Sequence, residues 1–410
     1  MANKKFLSVS LWIFALIFFA YQFIVRLTPG ILMADITTRF HIDAKDFGSL
    51  VGFYYLGYAG MQLPIGMLLD KFGVRYVVAA CALICALGNI VFVTSESWTV
   101  AMLGRFLVGF GSAAGALGAI KAVRMIFSHE NISKMIGLTI TIGLLGAICG
   151  KQFNIYLHDH FGYNDSLIGL SLFSVGIAFM IFFIARDGST DDEYDPNFSV
   201  KAALFEVLKM PKIYIIAILG ALLVGPLEAF ADIWGDQFFA KIYGFDKHQS
   251  AELSGMAVYM GMCIGSLVLA WFVDKYQIHY EMIIVCGAIM ATIFYLLLNQ
   301  MVAGYNFIFM LMFVVGIMCS YQVIIFSIIT EIVPAKESGI AISFVNMINM
   351  AAGHAFHWSI GSLFNHHWDG QYLNEMKVYP TIAYSDALYL IPITLVIGTI
   401  GFYIIRPSRT

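Results

Sequence analysis

The sequence contains little charge. Only 12% of its 410 residues are Asp, Glu, Lys or Arg, about half the share found in a typical soluble protein. Hydrophobic residues make up 60% of the chain, and the mean hydropathy is +0.82. This composition excludes an ordinary soluble domain, a disordered chain and a nucleic-acid binder, and it argues against a soluble enzyme. The formal net charge of -3 is too small to indicate a charged partner.

Cysteine is also scarce. The six cysteines lie inside apolar runs, and none belongs to a CxxC pair. This placement argues against a disulfide framework and against a cysteine-ligated metal, so they are interpreted as small packing residues. A cleavable signal peptide is likewise not indicated, because the apolar segment that starts at Phe6 runs past Tyr21 without a small-residue cleavage site.

Long apolar runs fill the chain instead. A transmembrane helix needs about 20 apolar residues, and the runs predict an all-α integral membrane protein with twelve transmembrane helices. Two pseudo-symmetric six-helix halves are predicted at residues 1–186 and 212–410. The twelve predicted spans are 6–35, 46–69, 74–94, 98–120, 133–157, 166–186, 212–239, 248–273, 279–299, 304–332, 337–363 and 384–405.

Segment 187–211 is predicted to be a cytoplasmic linker between the halves. It begins with an acidic run, and apolar residues from Phe198 to Leu208 then recur at helical spacing. This pattern predicts a helix lying at the membrane surface, and a solvated tether is the alternative. Most Lys and Arg residues fall on one set of loops, which predicts that both termini are cytoplasmic; the cell inner (cytoplasmic) membrane is the expected location.

A short pattern recurs at the cytoplasmic ends of spans two and eight. Both spans end in an Asp-Lys pair, which indicates a duplicated six-helix unit. A carboxylate there can pair with basic groups or with a helix N-terminus, so the two copies are predicted to form a conformational latch. The latch residues are Gly66, Asp70, Lys71, Gly73 and Arg75 in the first copy, and Asp274 and Lys275 in the second.

These residues resemble the major facilitator superfamily. The first copy matches its loop signature G-x-x-x-D-[RK]-x-G-x-[RK], while Ala270 replaces the first glycine of the second copy. Arg105, Gly109 and Gly111 match the R-x-x-x-G-x-G signature of the fourth span, where the resemblance implies that Arg105 takes part in proton transfer; helix packing is the alternative. Span five lacks the proline of the family's antiporter signature, which argues against a drug/proton antiporter.

A closer resemblance concerns the first span. Residues 20–33, AYQFIVRLTPGILM, are similar to the same span of nutrient importers from intracellular bacteria, which carry amino acids or nucleosides. The same layout of Tyr21 and Arg26 also looks like organic phosphate and organic anion carriers. Siderophore import and peptide transport are further alternatives.

Basic residues inside spans are the first candidates for a substrate site, because a charge at the bilayer midplane costs about 2.5–3.5 kcal/mol. The planar fork of Arg26 suits a carboxylate or a phosphate, and Tyr21 or Gln22 could add hydrogen bonds. Lys151 in span five could bind an anion or neutralise Glu228. For both cations, an ion pair within the protein is the alternative.

Acidic residues form a second group. Glu228, Asp232 and Asp236 recur every four residues in span seven, so they share one helix face. Glu228 is also a candidate substrate contact. Because burial disfavours a charged carboxylate, Glu228 or Asp232 is predicted to carry the coupling proton, with Asp35 as a further candidate. Asp236 is expected near the outer mouth, exposed to water; a purely structural acidic vestibule is the alternative.

Span eleven contributes a polar stripe. Asn346, Asn349 and His357 lie on one helix face and are predicted to line the substrate path, as is Tyr321 in span ten. His354 and His357 also form H-x-x-H, which suits a metal. Because no carboxylate or thiol accompanies them on that helix, no metal site is predicted.

The sequence therefore predicts a secondary active transporter that imports a small polar nutrient, such as an amino acid or short peptide, by alternating access. A proton gradient is expected to drive it without a cofactor, and it is expected to act as a monomer in the lipid bilayer. Organic anion, organic phosphate or siderophore carriers are the alternatives, followed by a drug efflux antiporter or a non-transporting receptor. No nucleophile–base set lies at one membrane depth, so an enzyme is not predicted.

Overall fold

The computed structural model describes residues 2–185, 200–334, 336–373 and 376–407, which are almost entirely helical. Residues 187–199 of the predicted linker lie outside the described residues. The helices before this gap are α1 (Ala2–Ile31), α2 (Met33–Phe40), α3 (Ala44–Phe72), α4 (Val74–Thr94), α5 (Trp98–Ser112), α6 (Ala114–Ile126) and α7 (His129–Phe183).

The helices after the gap include two π-helical segments, π1 and π2. They are α8 (Val200–Leu208), α9 (Pro211–Leu222), π1 (Pro226–Trp234), α10 (Gly235–Ile242), α11 (Lys247–Ala251), π2 (Glu252–Met256), α12 (Ala257–Tyr276), α13 (His279–Leu298), α14 (Tyr305–Cys319), α15 (Tyr321–Ile332), α16 (Ser338–His366), α17 (Thr381–Leu388) and α18 (Leu390–Ile405). A two-stranded antiparallel pair, β1 (Tyr372–Leu373) and β2 (Met376–Lys377), lies between α16 and α17, with Tyr372 opposite Lys377.

The chain divides into two compact units. Unit 1 contains Met1–Leu32 and Phe53–Lys201, and unit 2 contains Met33–Gly52 and Ala202–Thr410. Helix α3 therefore begins in unit 2 and ends in unit 1. The predicted division into 1–186, 187–211 and 212–410 stays a prediction about the organisation of the sequence.

Ten helical segments of the described chain are long and apolar enough to span a membrane. The longest, Lys134–Phe183, has 50 residues, which is enough for two spans. A single residue, Gly162, interrupts it with a φ of +76°, so the polar break expected at 158–165 is a kinked helix instead of a loop. The two sides of this kink correspond to predicted spans five and six, and the 29-residue α3, which is not among the ten, corresponds to predicted span two.

Small residues allow helices in unit 1 to pack closely. A Cβ added to Gly109, in the fourth-span signature, would lie 1.9 Å from the backbone oxygen of Tyr54. A Cβ added to Gly146 of α7 would lie 2.2 Å from the backbone oxygen of Ala20 in α1. Since no side chain fits at either position, glycine sets the distance between these helices.

The predicted seventh span is not one regular helix. Proline lacks an N–H and its ring clashes with the carbonyl four residues earlier, and α9 accordingly ends at Leu222, four residues before Pro226. The backbone continues as π1, a nine-residue π-helix that contains Glu228 and Asp232. Such segments are rare and are often found at functional sites.

Helix α8 covers residues of the predicted surface helix, whose place at the membrane stays a prediction. Ala203 and Val207 are buried, whereas the ring of Phe205 is 61% exposed. Lys209 lies over that ring and pairs with Glu206 at 2.7 Å. An exposed aromatic ring beside an ammonium group is the arrangement expected of a helix at a lipid headgroup layer.

Candidate functional site

Six charged side chains are buried in the described part of the chain, and the two units hold opposite signs. Unit 1 buries Arg26, Arg105 and Lys151, and unit 2 buries Glu228, Asp232 and Asp236. Burying a charge is costly unless it is paired or hydrogen-bonded. The contacts of each group therefore decide what it can do.

Arg26 lies among aromatic rings. Its guanidinium carbon is 5.2 Å from the ring centre of Tyr55 in α3 and 5.7 Å from that of Phe23. Gln22, one turn earlier, accepts a hydrogen bond from the Tyr54 hydroxyl at 3.1 Å. Ring faces attract a guanidinium, so Tyr55 of α3 helps to hold the Arg26 cation, while Tyr54 beside it binds Gln22.

Tyr21 faces other helices. Its hydroxyl donates to the backbone oxygen of Leu170 at 2.9 Å and accepts from the Asn89 amide at 3.2 Å. Its ring packs against Phe173 in α7. This hydroxyl joins α1 to α4 and α7, so the structure does not bring it together with Arg26.

Arg105 joins two helices. One of its terminal nitrogens donates to the backbone oxygen of Val25 at 3.0 Å, and its guanidinium lies 5.2 Å from the ring centre of Tyr54. Bonding to a neighbour's backbone is the packing alternative to the family role in proton transfer. The contact also connects α5 to the residue next to Arg26.

Lys151 lies on the stretch of α7 that packs against α1. Its side chain is 1% exposed. Three residues on, Asn154 donates to the backbone oxygen of Ile24 at 2.9 Å and accepts from the Thr28 hydroxyl at 3.0 Å. Sequence reasoning missed Asn154, although a lone Asn in an apolar span is a signal that could have found it.

The acids of span seven bond to hydroxyl groups. Asp232 accepts a hydrogen bond from Tyr259 in α12, and Asp236 accepts one from Ser254 in π2. The expectation that Asp236 is exposed to water was wrong, because Asp236 is only 8% exposed. Glu228 lies close enough to Tyr321 and Cys319 to act on both electrostatically.

A buried pair links π1 to α16. The indole N–H of Trp234 donates to Nδ1 of His357 at 3.1 Å, and both residues are buried. Because an indole can only donate, Nδ1 acts as the acceptor and a neutral His357 carries its proton on Nε2. Sequence reasoning missed Trp234, whose ring also stacks on Phe364.

The other predicted lining residues fall into two places. Tyr321 donates to the backbone oxygen of Gly220 at 3.0 Å, and the side-chain oxygen of Asn349 lies 3.5 Å from where a Cβ on Gly220 would be. Asn346 is half-buried. His354 packs instead against the first turns of α3, where a Cβ on Gly52 would lie 2.2 Å from its Nδ1.

Asp35 is not part of the first span. Helix α1 ends at Ile31, and Asp35 lies in the first turn of α2, half-buried and in unit 2. Among the described residues, no group of three or more His, Cys, Asp or Glu side chains could hold a metal ion.

The predicted latch residues make local contacts. Asp70 pairs with Lys121 of α6, which sequence reasoning missed, and Arg75 donates to the backbone oxygen of Phe182 at 2.9 Å. Gly73 forms the turn between α3 and α4 with a φ of +83°, where glycine avoids strain. The remaining members of the set are Gly66, Lys71 over the Phe72 ring, Asp274 whose backbone oxygen accepts from Gln277, and Lys275 over the Trp271 ring.

A polar cluster absent from the sequence predictions surrounds Asp43, just before α3. Its Oδ1 caps the helix by accepting from the backbone N–H groups of Lys45 and Asp46, each at 3.0 Å. Its Oδ2 accepts from Asn365 at 2.6 Å and Lys377 at 2.9 Å. Tyr379 completes the cluster, since its hydroxyl donates to Asn365 and accepts from the backbone N–H of Ala44.

The cluster changes the acidity of Asp43. Partial burial alone would raise the pKa of this carboxyl, but the bonds from Lys377, the Asp46 backbone and Asn365 outweigh it and hold the pKa below its ordinary value. The group is therefore ionised at neutral pH, and all of these contacts lie within unit 2.

The helical architecture and the buried intramembrane charges define a multi-pass membrane protein. A family model described as the Major Facilitator Superfamily matches residues 10–356. The chain belongs to this family, which confirms the resemblance drawn from the loop and fourth-span signatures and the fold class predicted from the apolar runs.

Relatives in the family are distant. The uncharacterized transporter YybO of Bacillus subtilis is 27% identical over 38% of this chain and 36% of its own length. The membrane sensor protein UhpC of Salmonella typhimurium is 23% identical over 66% of this chain and 64% of its length. These matches cover less than two thirds of either relative. The inner membrane transport protein YajR of Escherichia coli is 24% identical over 79% of this chain and 70% of its length.

Solved structures resemble the chain over nearly its full length. The nucleoside transporter NupG has a TM-score of 0.76 and 15% identity, with 97% of this chain and 98% of its own covered. A D-xylose-proton symporter has a TM-score of 0.72 and 13% identity, with 98% of both chains covered. At this level of identity the likeness concerns the fold alone.

Proposed function

We propose that the protein is a proton-coupled secondary transporter that imports a small polar nutrient, with an amino acid or short peptide as the favoured substrate class. The observation that carries the proposal is the separation of buried charge. Basic groups are buried in unit 1 and acidic groups in unit 2. A zwitterion needs both kinds of group.

The basic groups supply anion recognition. The Arg26 guanidinium is buried against aromatic faces, and its planar fork has the geometry that suits a carboxylate. Lys151 adds a second buried cation on the helix packed against α1. Arg26 with Gln22 and Lys151 is the substrate-carboxylate site in this proposal, and Tyr21 has a supporting role in helix packing.

The acidic groups supply the ammonium contact and the proton site. Glu228 and Asp232 are each 1% exposed and lie in π1. A buried carboxylate gains or loses a proton with a large change in its interactions. Protonation of either acid can therefore change how π1 packs, which is what coupling a proton to a transport cycle requires.

Other substrate classes use the same residues differently. An organic anion, organic phosphate or siderophore would be bound by Arg26 and Lys151 together, and the acids would then serve only protons. A drug efflux antiporter would need less fixed charge of both signs. The full proposal places a monomer in the bacterial inner membrane, with both termini cytoplasmic and no cofactor.

A membrane sensor is the second candidate. The similarity to UhpC, which is named a membrane sensor protein, covers 66% of the chain. A sensor would bind its ligand without moving it across the bilayer. The buried charges would then serve only to recognise the ligand.

A thermal-shift screen followed by uptake assays tests the proposal. Purified protein is first screened against amino acids, dipeptides, nucleosides, organic phosphates and citrate-like anions. Ligands that stabilise it are then offered to proteoliposomes with and without an inward proton gradient. We expect a zwitterion to accumulate only with the gradient. Stabilisation without uptake would favour the sensor, and gradient-driven uptake of anions alone would replace the zwitterion.

A further inference from the structure

We infer that Tyr259 is a positioning residue for Asp232, and that it holds this carboxylate between π1 and α12 in both of its protonation states. Ser254 does the same for Asp236. The inference rests on the proposed function only in assigning the proton of the transport cycle to this segment. The geometry that carries it lies entirely in unit 2.

The two hydroxyl–carboxylate pairs are buried between elements that touch. Tyr259 and Asp232 are each 1% exposed, Ser254 is fully buried, and each hydroxyl donates to a carboxylate oxygen. A Cβ on Gly235 would lie 2.7 Å from Cβ of Ser254, so the first residue of α10 packs closely against π2.

Hydroxyl groups suit this position because they can both donate and accept. When Asp232 is ionised, the Tyr259 O–H donates to it. When a proton binds a carboxylate oxygen, the new O–H group can donate to the Tyr259 oxygen, because a phenol oxygen also accepts hydrogen bonds. No bond to carbon changes, so the pair survives protonation with its direction reversed.

The neighbouring ionisable groups have partners of their own. Glu252 in π2 accepts from the Tyr305 hydroxyl of α14, and His357 in α16 accepts from the Trp234 indole. Glu228 precedes Asp232 by one turn in π1. The indole cannot accept a hydrogen bond, so protonation of Nδ1 of His357 would break the bond to Trp234. Protonation of Asp232 need not break its bond to Tyr259, because a hydroxyl can accept.

The π-helical backbone explains why two such pairs occur together. A π-helix bonds residue i to i+5 and is less regular than an α-helix. Both carboxylate-bearing turns meet a second π segment, π2, or the residues just after it. The hydroxyl bonds thus fix Asp232 on the π-helix and Asp236 in the first turn of α10.

Carbodiimide labelling tests the inference without requiring transport. Dicyclohexylcarbodiimide modifies protonated carboxyl groups in apolar surroundings, and mass spectrometry locates the label. Purified protein is labelled between pH 5 and 9. In Tyr259→Phe, the ionised Asp232 loses a donor, so we expect its labelling at pH 7 to rise severalfold. Ser254→Ala should do the same at Asp236.

Tyr243→Phe is the matched control, because the Tyr243 hydroxyl donates to the backbone oxygen of Leu297 at 2.9 Å. It should leave both curves unchanged, and Asp232→Asn should remove the label at that position. Unchanged labelling of Asp232 in a folded Tyr259→Phe would overturn the inference. If that variant does not fold, Ser254→Ala makes the same test at Asp236, and unchanged labelling there overturns it.

The outcome of the uptake assays tests the proposed function separately from the labelling result. Shifted labelling with no uptake of any solute would overturn the transport proposal and leave the positioning role standing. Gradient-driven uptake with unshifted labelling would overturn the positioning role alone.

Discussion

The two units bury opposite charges in different kinds of backbone. In unit 1, Arg26 and Arg105 extend from regular α-helices toward aromatic faces, and Arg105 also donates to a backbone carbonyl. In unit 2, Asp232 lies in a π-helix and accepts from a hydroxyl. A long cationic side chain can reach an existing aromatic ring, whereas a short carboxylate needs donors brought to it by the backbone.

Helix α3 shows the same contrast on a smaller scale, because its start is in unit 2 and its end is in unit 1. Asp43 at the start accepts four hydrogen bonds and has a side chain 22% exposed. Asp70 near the end pairs with Lys121 and has a side chain 56% exposed. The first carboxylate is fixed in place, and the second can exchange its partner for water.

The largest effect is expected from Arg26→Ala. Removing a charge-assisted hydrogen bond costs about 1.5–3 kcal/mol, so substrate affinity should fall about 10- to 150-fold or become unmeasurable. Thermal shift and equilibrium binding with the screened ligand measure it. Arg124→Ala, at an exposed arginine of α6, is the control. Unchanged affinity would rule out ligand contact by Arg26. The contrast between the buried bases of unit 1 and the buried acids of unit 2 would then lose its functional meaning for Arg26.

Glu228→Gln tests the acidic side. The neutral isostere cannot release a proton, so gradient-driven accumulation should be lost while substrate exchange across the membrane continues. Proteoliposomes loaded with labelled substrate measure both rates. Glu206→Gln, an exposed glutamate of α8, should behave as wild type. If accumulation persists in Glu228→Gln, coupling lies elsewhere and Asp232→Asn is the next variant.

Asp43→Asn should destabilise the protein by about 1–3 kcal/mol, because it removes the charge from a saturated hydrogen-bond acceptor. The pKa of Asp43 is lowered in the folded state, so its contribution is complete above the ordinary value of about 3.9 and is lost as pH falls through the lowered value. The difference from wild type should be constant between pH 5 and 8.

Unfolding in detergent, followed across pH, measures this difference. Asp165→Asn, at an exposed aspartate of α7, is the control. A destabilisation that varies between pH 5 and 8 would contradict the assignment of the effect to the Asp43 carboxylate.

The smallest effect is expected from Asp70→Asn. An exposed ion pair contributes at most about 1 kcal/mol, so the conformational cycle should slow by no more than about fivefold with substrate affinity unchanged. Exchange rates in proteoliposomes measure it, and Asp274→Asn in the degenerate copy is the comparison variant. A wild-type rate would remove the latch role, and a loss of stability like that of Asp43→Asn would break the contrast between the ends of α3.

The spans and the family follow from the sequence because hydropathy and glycine motifs are local properties. The signature glycine Gly109 is explained by its contact with Tyr54, and the buried charges were recognised because charge is rare in apolar runs. The partners of those charges lie far along the chain. Asp43 meets Asn365 and Lys377 more than 300 residues later, and no periodicity reports such a contact.

Periodicity also fails where the backbone leaves the α-helix. The four-residue spacing of Glu228, Asp232 and Asp236 assumes an α-helix, whereas the first two lie in π1 and the third in α10. Asp236 is buried and accepts a hydrogen bond from Ser254. A proline inside an apolar run was visible in the sequence, but the π-helical turn after it was not.

The bond between Trp234 and His357 determines which residues evolution can place at position 357. An indole N–H requires an acceptor opposite it, so asparagine can replace the imidazole, whereas lysine and arginine would set one donor against another in a site without solvent. In a saturating library selected for correctly folded protein, we expect Asn to survive at 357 and the two basic residues to be lost. In a library built on Trp234→Phe, that preference for an acceptor should disappear.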